Sequence, residues 1–229
     1  MAYEILKPHC TNTIRGVLFD MDGLVLDTEK LYSRFWIEAC HFYGFPMTYE
    51  QSLGMRALNA QRGEAQLKQY FGPNVEYLAV RNKRIELMEI FIDENGVDIK
   101  PGIFELLDYL DSQGIPAAIT SSSPIPRIKK YLSKHGLDTR FTALCSGRDV
   151  PRGKPEPDIY LHGAATLGLR PEECMALEDA PAGIQSATGA GCLTVMIPDQ
   201  DQPDAETKAL LFAKADTLAD IIPLLESLK

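Results

Sequence analysis

Short apolar runs alternate with helical patterns from Pro101 onward, and this alternation constrains the fold of the chain more than any other feature. Four apolar runs have the length of buried strands: 115–120, 141–145, 173–178 and 192–197. Four helical patterns accompany them: 102–113, 125–135, 157–167 and 181–190. Strands that are connected by helices of this length form parallel sheets with right-handed crossovers, so the sequence predicts an α/β fold with a parallel sheet.

One further apolar run, Gly16–Phe19, ends at two aspartates, Asp20 and Asp22, which are separated only by Met21. Carboxylates at the carboxyl end of a strand stand where open α/β sheets bind their ligands. One carboxylate could attack a phosphorus atom while the other transfers a proton, and a hard cation could bridge the first to the phosphate. A structural interpretation is also open here, because aspartates often end a strand and cap the next turn.

Helical patterns fill the segment between this first strand and the later ones. Their spacing continues from Glu29 to about Asp98, and glycines at 44, 54, 72 and 96 interrupt it. We therefore predict two domains: residues 1–28 and 99–229 form the α/β core, and residues 29–98 form a helical insertion. The two boundaries would act as a hinge that lets the insertion open and close over the strand ends.

Two further motifs carry groups that suit a phosphate. The strand near 120 runs into Ser121 and Ser122, whose hydroxyls are good donors to phosphate oxygens, although such a serine run is also an ordinary helix N-cap. Lys154 precedes two prolines that start a helix and fix its backbone. A positive charge held there can neutralise both a nucleophilic carboxylate and a phosphate.

The fourth motif is the acid pair Glu178 and Asp179, which follows a strand and precedes a helix. Magnesium prefers an octahedron of oxygens and keeps several waters, so a few carboxylates plus substrate oxygens are enough to bind it. The alternative is an acid pair that the helix dipole stabilises at a helix N-terminus.

The stretch Asp20-Met21-Asp22-Gly23-Leu24, followed by Asp27-Thr28-Glu29, resembles the first motif of the haloacid dehalogenase-like phosphohydrolases. The three later motifs follow in the order of that superfamily. The chain is most similar to the branch that contains β-phosphoglucomutase and the small sugar- and nucleotide-monophosphate phosphatases, including the pseudouridine-5′-phosphatase-like enzymes. The resemblance covers the chain from residue 14 onward. It implies a Rossmann-like three-layer core with a parallel sheet and a helical cap inserted after the first strand.

The resemblance also implies roles for the residues that match its motifs. Asp20 would be the nucleophile, and Asp22 would be the acid and base that protonates the leaving group and then activates water. Ser121, with Ser122 beside it, and Lys154 would hold the transferring phosphoryl group. The activity implied is hydrolysis of a phosphomonoester through a phosphoaspartate intermediate.

A magnesium ion is the cofactor that the resemblance implies. Its ligands would be Asp20, the backbone carbonyl of Asp22, and Asp179. Glu178 would be a further ligand or would hold a metal-bound water.

At two positions this chain differs from the β-phosphoglucomutases, which transfer a phosphoryl group within a sugar instead of hydrolysing the ester. The β-phosphoglucomutases of this branch carry a His where this chain has Tyr32, and an Ala where it has Glu29. These departures favour a phosphatase acting on a small sugar phosphate or nucleotide-like phosphate over the alternative, a β-phosphoglucomutase-type phosphomutase. A non-catalytic phosphate-binding protein on the same scaffold is disfavoured because no motif is broken. Glu29, Arg56 and Asn59 are candidates for contact with the leaving group, with a solvated helix face as the alternative.

Composition sets the remaining expectations. The 229 residues are 45% hydrophobic, which is enough for a substantial core, and the net charge of -9 argues against nucleic acid or an anionic membrane as the main partner. Five cysteines without a C-x-x-C pair are typical of reduced thiols in an intracellular protein. No apolar run approaches membrane-spanning length. We therefore expect a cytoplasmic protein. We expect it to be a monomer or weak homodimer, and the resemblance implies a small phosphorylated metabolite as its partner.

Overall fold

The computed structural model of the chain describes residues 3–7, 13–56, 58, 60–199 and 202–229. Within these ranges the chain divides into two compact units. The α/β unit contains the residues up to Leu26 together with Ile99–Lys229, and the helical unit contains Asp27–Asp98. None of the helices in the described ranges combines the length and the hydropathy that a membrane crossing requires.

The described residues form strands β1 (Tyr3–Ile5), β2 (Gly16–Phe19), β3 (Ala117–Ser121), β4 (Ala143–Ser146), β5 (Cys174–Glu178), β6 (Leu193–Met196) and β7 (Ala213–Ala215). They also form helices α1 (Glu29–Phe42), α2 (Tyr49–Leu53), α3 (Ala60–Phe71), α4 (Tyr77–Asn95), α5 (Ile103–Ser112), α6 (Ile125–Ser133), α7 (Asp158–Thr166), α8 (Pro181–Ala190), α9 (Ala205–Leu210) and α10 (Ile221–Ser227). Short 3₁₀ turns lie at Pro171–Glu173 and Leu218–Asp220.

All seven strands belong to one sheet in the order β1-β7-β6-β5-β2-β3-β4. Strand β1 runs antiparallel to β7, and every other neighbouring pair is parallel. Helices connect the parallel strands, as crossovers of this kind require. The predicted α/β fold with a parallel sheet is therefore confirmed, and the four predicted later strands correspond to β3, β4, β5 and β6.

Strand β2 lies in the interior of the sheet, between β3 and β5. Its side chains at Val17, Leu18 and Phe19 have no exposed surface, and burial of each such side chain stabilises the fold by about 1.5–3 kcal/mol. Because Asp20 follows Phe19 directly, the packing of this strand fixes the position of the first aspartate.

The carboxyl-terminal region holds two elements that the sequence did not predict, α9 and β7. Helix α9 begins after Asp204, whose side chain accepts a hydrogen bond from the Thr207 amide at 2.7 Å. Strand β7 has only three residues and pairs with β6 on one side and β1 on the other. Elements this short carry no usable hydrophobic period, so α9 depends on its N-cap and β7 on its neighbouring strands.

The helical unit is built on contacts between α1 and α4. The rings of Phe35 and Phe91 lie 5.5 Å apart, and the Arg84 guanidinium lies 4.7 Å from the ring centre of Tyr32 and 5.2 Å from that of Trp36. Cation–π contacts of this kind stabilise by about 0.5–2 kcal/mol where water is excluded. The Tyr32 ring therefore packs within the helical unit.

Candidate active site

Parallel strand order brings the predicted polar residues to one edge of the sheet. Asp20 follows β2, Ser121 ends β3, and Glu178 ends β5 with Asp179 directly after it. The register pairs Phe19 with Ile119 on one side and with Leu177 on the other, and the Asp20 amide donates to the Leu177 carbonyl at 3.1 Å. The carboxyl ends of the three strands therefore stand level beside one another.

A tight turn after Asp22 folds the chain back toward the strand end. Gly23 adopts a φ of 90°, a conformation that favours glycine, and its amide donates to the Leu26 carbonyl at 2.8 Å. The amides of Val25 and Leu26 both donate to the Met21 carbonyl at 3.0 Å. These bonds hold the backbone on either side of Asp22, so its carboxylate remains close to the strand end that carries Asp20.

Lys154 joins two of the carboxylates. Its Nζ lies 2.5 Å from Asp20 Oδ1 and 2.6 Å from Glu178 Oε1, and its side chain is only 9% exposed. The hydroxyl of Tyr160, which is fully buried, also donates to Glu178 Oε1. The ammonium group is therefore held between the end of β2 and the end of β5.

Three hydrogen-bond donors hold the Glu178 carboxylate. Besides Lys154 and Tyr160, the Asp179 amide donates to its Oε2 at 3.2 Å. A Cβ atom added to Gly183 would collide with the carboxylate, so the absence of a side chain in the first turn of α8 makes room for it. These contacts leave Glu178 one well-defined orientation, in which it holds Lys154.

Burial and the neighbouring charges both shift the pKa values of Asp20 and Lys154. Burial raises the pKa of Asp20 from 3.8 to about 7; Lys154 opposes the shift, and the charges of Glu178 and Asp22 add to it. Burial lowers the pKa of Lys154, but the charges of Asp20 and Glu178 outweigh burial and place it well above its ordinary value. Lys154 is therefore protonated at physiological pH, whereas Asp20 lacks enough positive charge nearby to keep a low pKa.

The donor set fits a divalent cation. Asp20, Glu178 and Asp179 each offer a carboxylate oxygen, and these oxygens lie within 4.8 Å of one another. With Asp22 the edge carries four carboxylates, and the ammonium of Lys154 contacts two of them. Magnesium binds oxygen ligands of this kind, and a cation beside Asp20 would lower the pKa of that carboxyl by favouring its ionised form.

The other predicted residues are Ser122, Glu29, Arg56 and Asn59. Ser122 is exposed and directly follows Ser121, which is buried. Glu29 is the first residue of α1, and Arg56 donates from its Nε to the Leu53 carbonyl at 3.3 Å; both belong to the helical unit. Asn59 lies outside the described residues.

Sequence reasoning missed three residues that support the site. Tyr160 holds Glu178 from α7, Ser123 contacts Asp22, and Ser146 at the end of β4 holds the backbone of Ser123. Ser123 directly follows Ser121 and Ser122, but the sequence assigned it no role of its own. This serine run does not cap the following helix, because α6 has Pro124 at its N-cap and no side-chain capping hydrogen bond.

The family is established by comparison with known proteins. The profile of the family described as haloacid dehalogenase-like hydrolase matches residues 14–191. The chain belongs to the haloacid dehalogenase-like hydrolases. The resemblance predicted from the four motifs is confirmed, and with it the assignment of the chain as an enzyme of this family.

The relatives include proteins named for phosphatase and for mutase activities. Hexitol phosphatase A of Escherichia coli (strain K12) is 34% identical over 184 residues, which cover 80% of this chain and 82% of that protein. A probable pseudouridine-5′-phosphatase of Drosophila melanogaster is 27% identical over 231 residues, which cover 97% and 96% of the two chains. β-Phosphoglucomutase of Bacillus subtilis (strain 168) is 26% identical over 196 residues, covering 83% and 85%.

A solved structure supports the fold. The crystal structure of a HAD hydrolase, family IA, variant 3, from Entamoeba histolytica superposes with a TM-score of 0.77 and 20% sequence identity. The match covers 93% of this chain and all of that chain. At this identity the likeness concerns the fold, and the predicted fold class is confirmed.

The contact between Tyr160 and Glu178 predicts a measurable loss of stability when it is removed. We expect Tyr160→Phe to lower the free energy of unfolding by about 1.5–3 kcal/mol, the range for a hydrogen bond to a charged group. The loss follows because Glu178, which is 1% exposed, would lose a donor that water cannot replace. Urea unfolding at neutral pH, followed by circular dichroism, measures the difference.

Tyr109→Phe is the matched control. The Tyr109 hydroxyl oxygen is also buried, but it has no hydrogen-bond partner among the described residues. Removing it should leave stability unchanged or slightly higher, because no hydrogen bond is lost. Equal stability losses in the two variants would mean that the Tyr160 hydroxyl does not support Glu178.

Proposed function

We propose that this protein is a Mg²⁺-dependent phosphatase that hydrolyses a small sugar phosphate or nucleotide-like phosphate through a phosphoaspartate intermediate. The observation that carries the proposal is the position of Lys154, whose Nζ donates to Asp20 Oδ1 at 2.5 Å and to Glu178 Oε1 at 2.6 Å. A positive charge fixed beside the nucleophilic carboxylate can stabilise the negative charge of the transferring phosphoryl group.

The first step forms the covalent intermediate. A carboxylate oxygen of Asp20 attacks phosphorus in line with the ester bond, which breaks as the new bond forms. Asp22 gives its proton to the departing alkoxide, which leaves as an alcohol. Ser121 and Lys154 hold the phosphoryl oxygens, with Ser122 beside them.

The second step returns the enzyme to its starting state. Asp22, now ionised, takes a proton from water, and the resulting hydroxide attacks the phosphorus of the phosphoaspartate. The bond between phosphorus and the Asp20 oxygen breaks, which releases inorganic phosphate and restores the Asp20 carboxylate. Asp22 is protonated again and ready for the next ester.

Magnesium would be held by Asp20, the backbone carbonyl of Asp22, and Asp179. When bound, it would neutralise phosphoryl charge and favour the ionised form of Asp20. Glu178 would hold Lys154. It would also contribute to the metal site, either as a further ligand or through a metal-bound water. The close approach of the Asp20, Glu178 and Asp179 oxygens supports this assignment.

We further propose that residues 29–98 form the cap domain and residues 1–28 and 99–229 the catalytic core. The clustering of the described residues into an α/β unit and a helical unit supports this division. At the junction the connecting segments run side by side, since Leu26 pairs with Ile99 and the Asp27 amide donates to the Asp98 carbonyl at 2.8 Å. Glu29, Arg56 and Asn59 are the cap residues proposed to contact the leaving group.

A substrate panel tests the proposal. We expect purified protein with Mg²⁺ to release inorganic phosphate from hexitol and aldose phosphates, and to lose this activity in EDTA. The relative named hexitol phosphatase A supports this choice, and pseudouridine 5′-phosphate and a ribonucleoside monophosphate provide the nucleotide-like comparison. Protein that releases no phosphate from any of these esters would contradict the phosphatase assignment, and if it also formed no glucose 6-phosphate from β-glucose 1-phosphate it would be a non-catalytic phosphate-binding protein.

Mutase activity is the second candidate, because one relative is named β-phosphoglucomutase. A single incubation with β-glucose 1-phosphate separates the two reactions. Hydrolysis gives glucose and inorganic phosphate, whereas a mutase gives glucose 6-phosphate. We expect free phosphate, in keeping with Glu29 and with the packing of the Tyr32 ring against Arg84.

A further inference from the structure

The Ser123 side chain contacts Asp22 but has no part in the two proposed steps. Its hydroxyl donates to Asp22 Oδ2 at 3.2 Å, and the residue is 7% exposed. The contact links the end of β3 to the carboxylate that transfers protons, across 101 residues of sequence. A hydroxyl donor at one carboxyl oxygen restricts the rotation of the carboxyl plane.

Ser123 is itself held in place by two neighbouring serines. Its amide donates to Ser121 Oγ at 3.1 Å, and its carbonyl accepts a hydrogen bond from Ser146 Oγ at 2.8 Å. Ser146 is fully buried at the end of β4, and its Oγ also accepts from the Arg148 amide at 3.0 Å. Both the amide and the carbonyl of Ser123 are therefore hydrogen-bonded. These bonds hold the backbone in the position from which the Ser123 hydroxyl contacts Asp22.

The direction of the hydrogen bond has a chemical consequence for Asp22. The contact with Ser123 favours one orientation of the Asp22 carboxyl plane, and with it the direction in which a carboxyl proton points. General acid catalysis depends on the position of that proton relative to the leaving oxygen. A freely rotating carboxyl would present the proton in the required direction only part of the time.

We propose that Ser123 is a positioning residue that orients the Asp22 carboxyl for proton transfer, and that Ser146 fixes Ser123 for this task. The inference rests on the proposed phosphatase activity. It concerns the leaving-group proton in the first step: the Asp22 proton passes to the departing oxygen as the ester bond breaks. An alkoxide needs that proton, whereas a nitrophenolate is stable enough to leave without it.

Leaving-group dependence provides the test. We expect Ser123→Ala to lower kcat/KM for a hexitol phosphate by about 10- to 100-fold, a fraction of the usual contribution of general acid catalysis. With p-nitrophenyl phosphate the same variant should lose no more than about threefold, because protonation of that leaving group is not needed. The value of kcat/KM is the right quantity, since it reports the step that forms the phosphoaspartate.

Ser146→Ala provides a second variant that acts through Ser123. It should shift the ratio of the two kcat/KM values in the same direction and by a smaller factor. Thr194→Val is the control: Thr194 is also buried and its Oγ1 bonds the Cys192 carbonyl at 3.2 Å and Thr188 Oγ1 at 3.1 Å. This variant should leave the ratio unchanged.

The outcomes separate this inference from the proposed function. A selective loss on the alkyl ester in Ser123→Ala supports the positioning role. Equal losses on both esters, in protein that folds like the wild type, would overturn it. Wild-type protein that hydrolyses neither ester would instead overturn the proposed phosphatase activity.

Discussion

Asp20→Asn should remove turnover while leaving the fold intact. The expected loss in kcat is a factor between about 10⁴ and 10⁶, the range caused by loss of a nucleophile or its partner in a hydrolase with a covalent intermediate. The amide cannot form the phosphoaspartate, although its shape is close to that of the carboxylate. Because Lys154 retains its hydrogen bond to Glu178, the site should keep its arrangement.

The control for this variant is Asp111→Asn. Asp111 is an exposed residue that pairs with Arg140 at 2.8 Å, away from the strand ends that carry the site. Its replacement should leave turnover unchanged because Asp111 lies away from the site. It should also leave the fold intact, because exposed ion pairs contribute little to stability. Circular dichroism spectra and phosphate release from the same preparations make the comparison. Wild-type turnover in Asp20→Asn would remove Asp20 from the mechanism.

Lys154→Met should be the second most damaging change. Loss of one fixed donor to a developing charge typically lowers kcat by about 10²- to 10³-fold, and Lys154 contacts the nucleophile directly. Methionine keeps much of the length of the side chain but brings no charge. The free energy of unfolding should fall by up to about 3–5 kcal/mol, because two buried carboxylates lose their shared partner.

Lys68→Met makes the same substitution at an exposed ion pair. Lys68 Nζ lies 2.6 Å from Glu64 Oε1, a separation like those at Lys154, but its side chain is 43% exposed. We expect this control to retain full turnover and to unfold at nearly the same urea concentration as the wild type, because an exposed ion pair contributes little to stability. Phosphate release and urea unfolding of both variants test the assignment, and a fully active Lys154→Met would rule out its role as the phosphate clamp.

The fold was largely predictable because its strands are buried hydrophobic runs. The predicted strand Gly16–Phe19 has the bounds that the structure gives to β2, and the alternation after Pro101 identified the parallel strands. Such runs have a length and composition that a single sequence reveals. The exceptions are α9 and β7, which have six and three residues and depend on an N-cap and on neighbouring strands.

The positions of the strand-end residues could be predicted from the topology, whereas Lys154 was indicated by its motif and not by a strand. Asp20, Ser121 and Glu178 meet because the carboxyl ends of adjacent parallel strands meet, which topology alone requires. Tyr160 and Ser123 could not be assigned in this way. Their roles depend on the directions of their hydroxyl groups across the fold, toward Glu178 and Asp22, and a linear pattern does not contain that information.

The central claim is that the Asp20 carboxylate carries the phosphoryl group during hydrolysis, and the covalent state of that residue tests it most directly. The Asp22→Asn variant is the suitable enzyme, because it can accept a phosphoryl group from p-nitrophenyl phosphate but lacks the base that activates water. Acid quenching followed by peptide mass spectrometry locates the adduct. The account predicts one phosphoryl group on Asp20 that is absent when Asp20 is also replaced by Asn; p-nitrophenol release with no adduct, or an adduct on another residue, would contradict it.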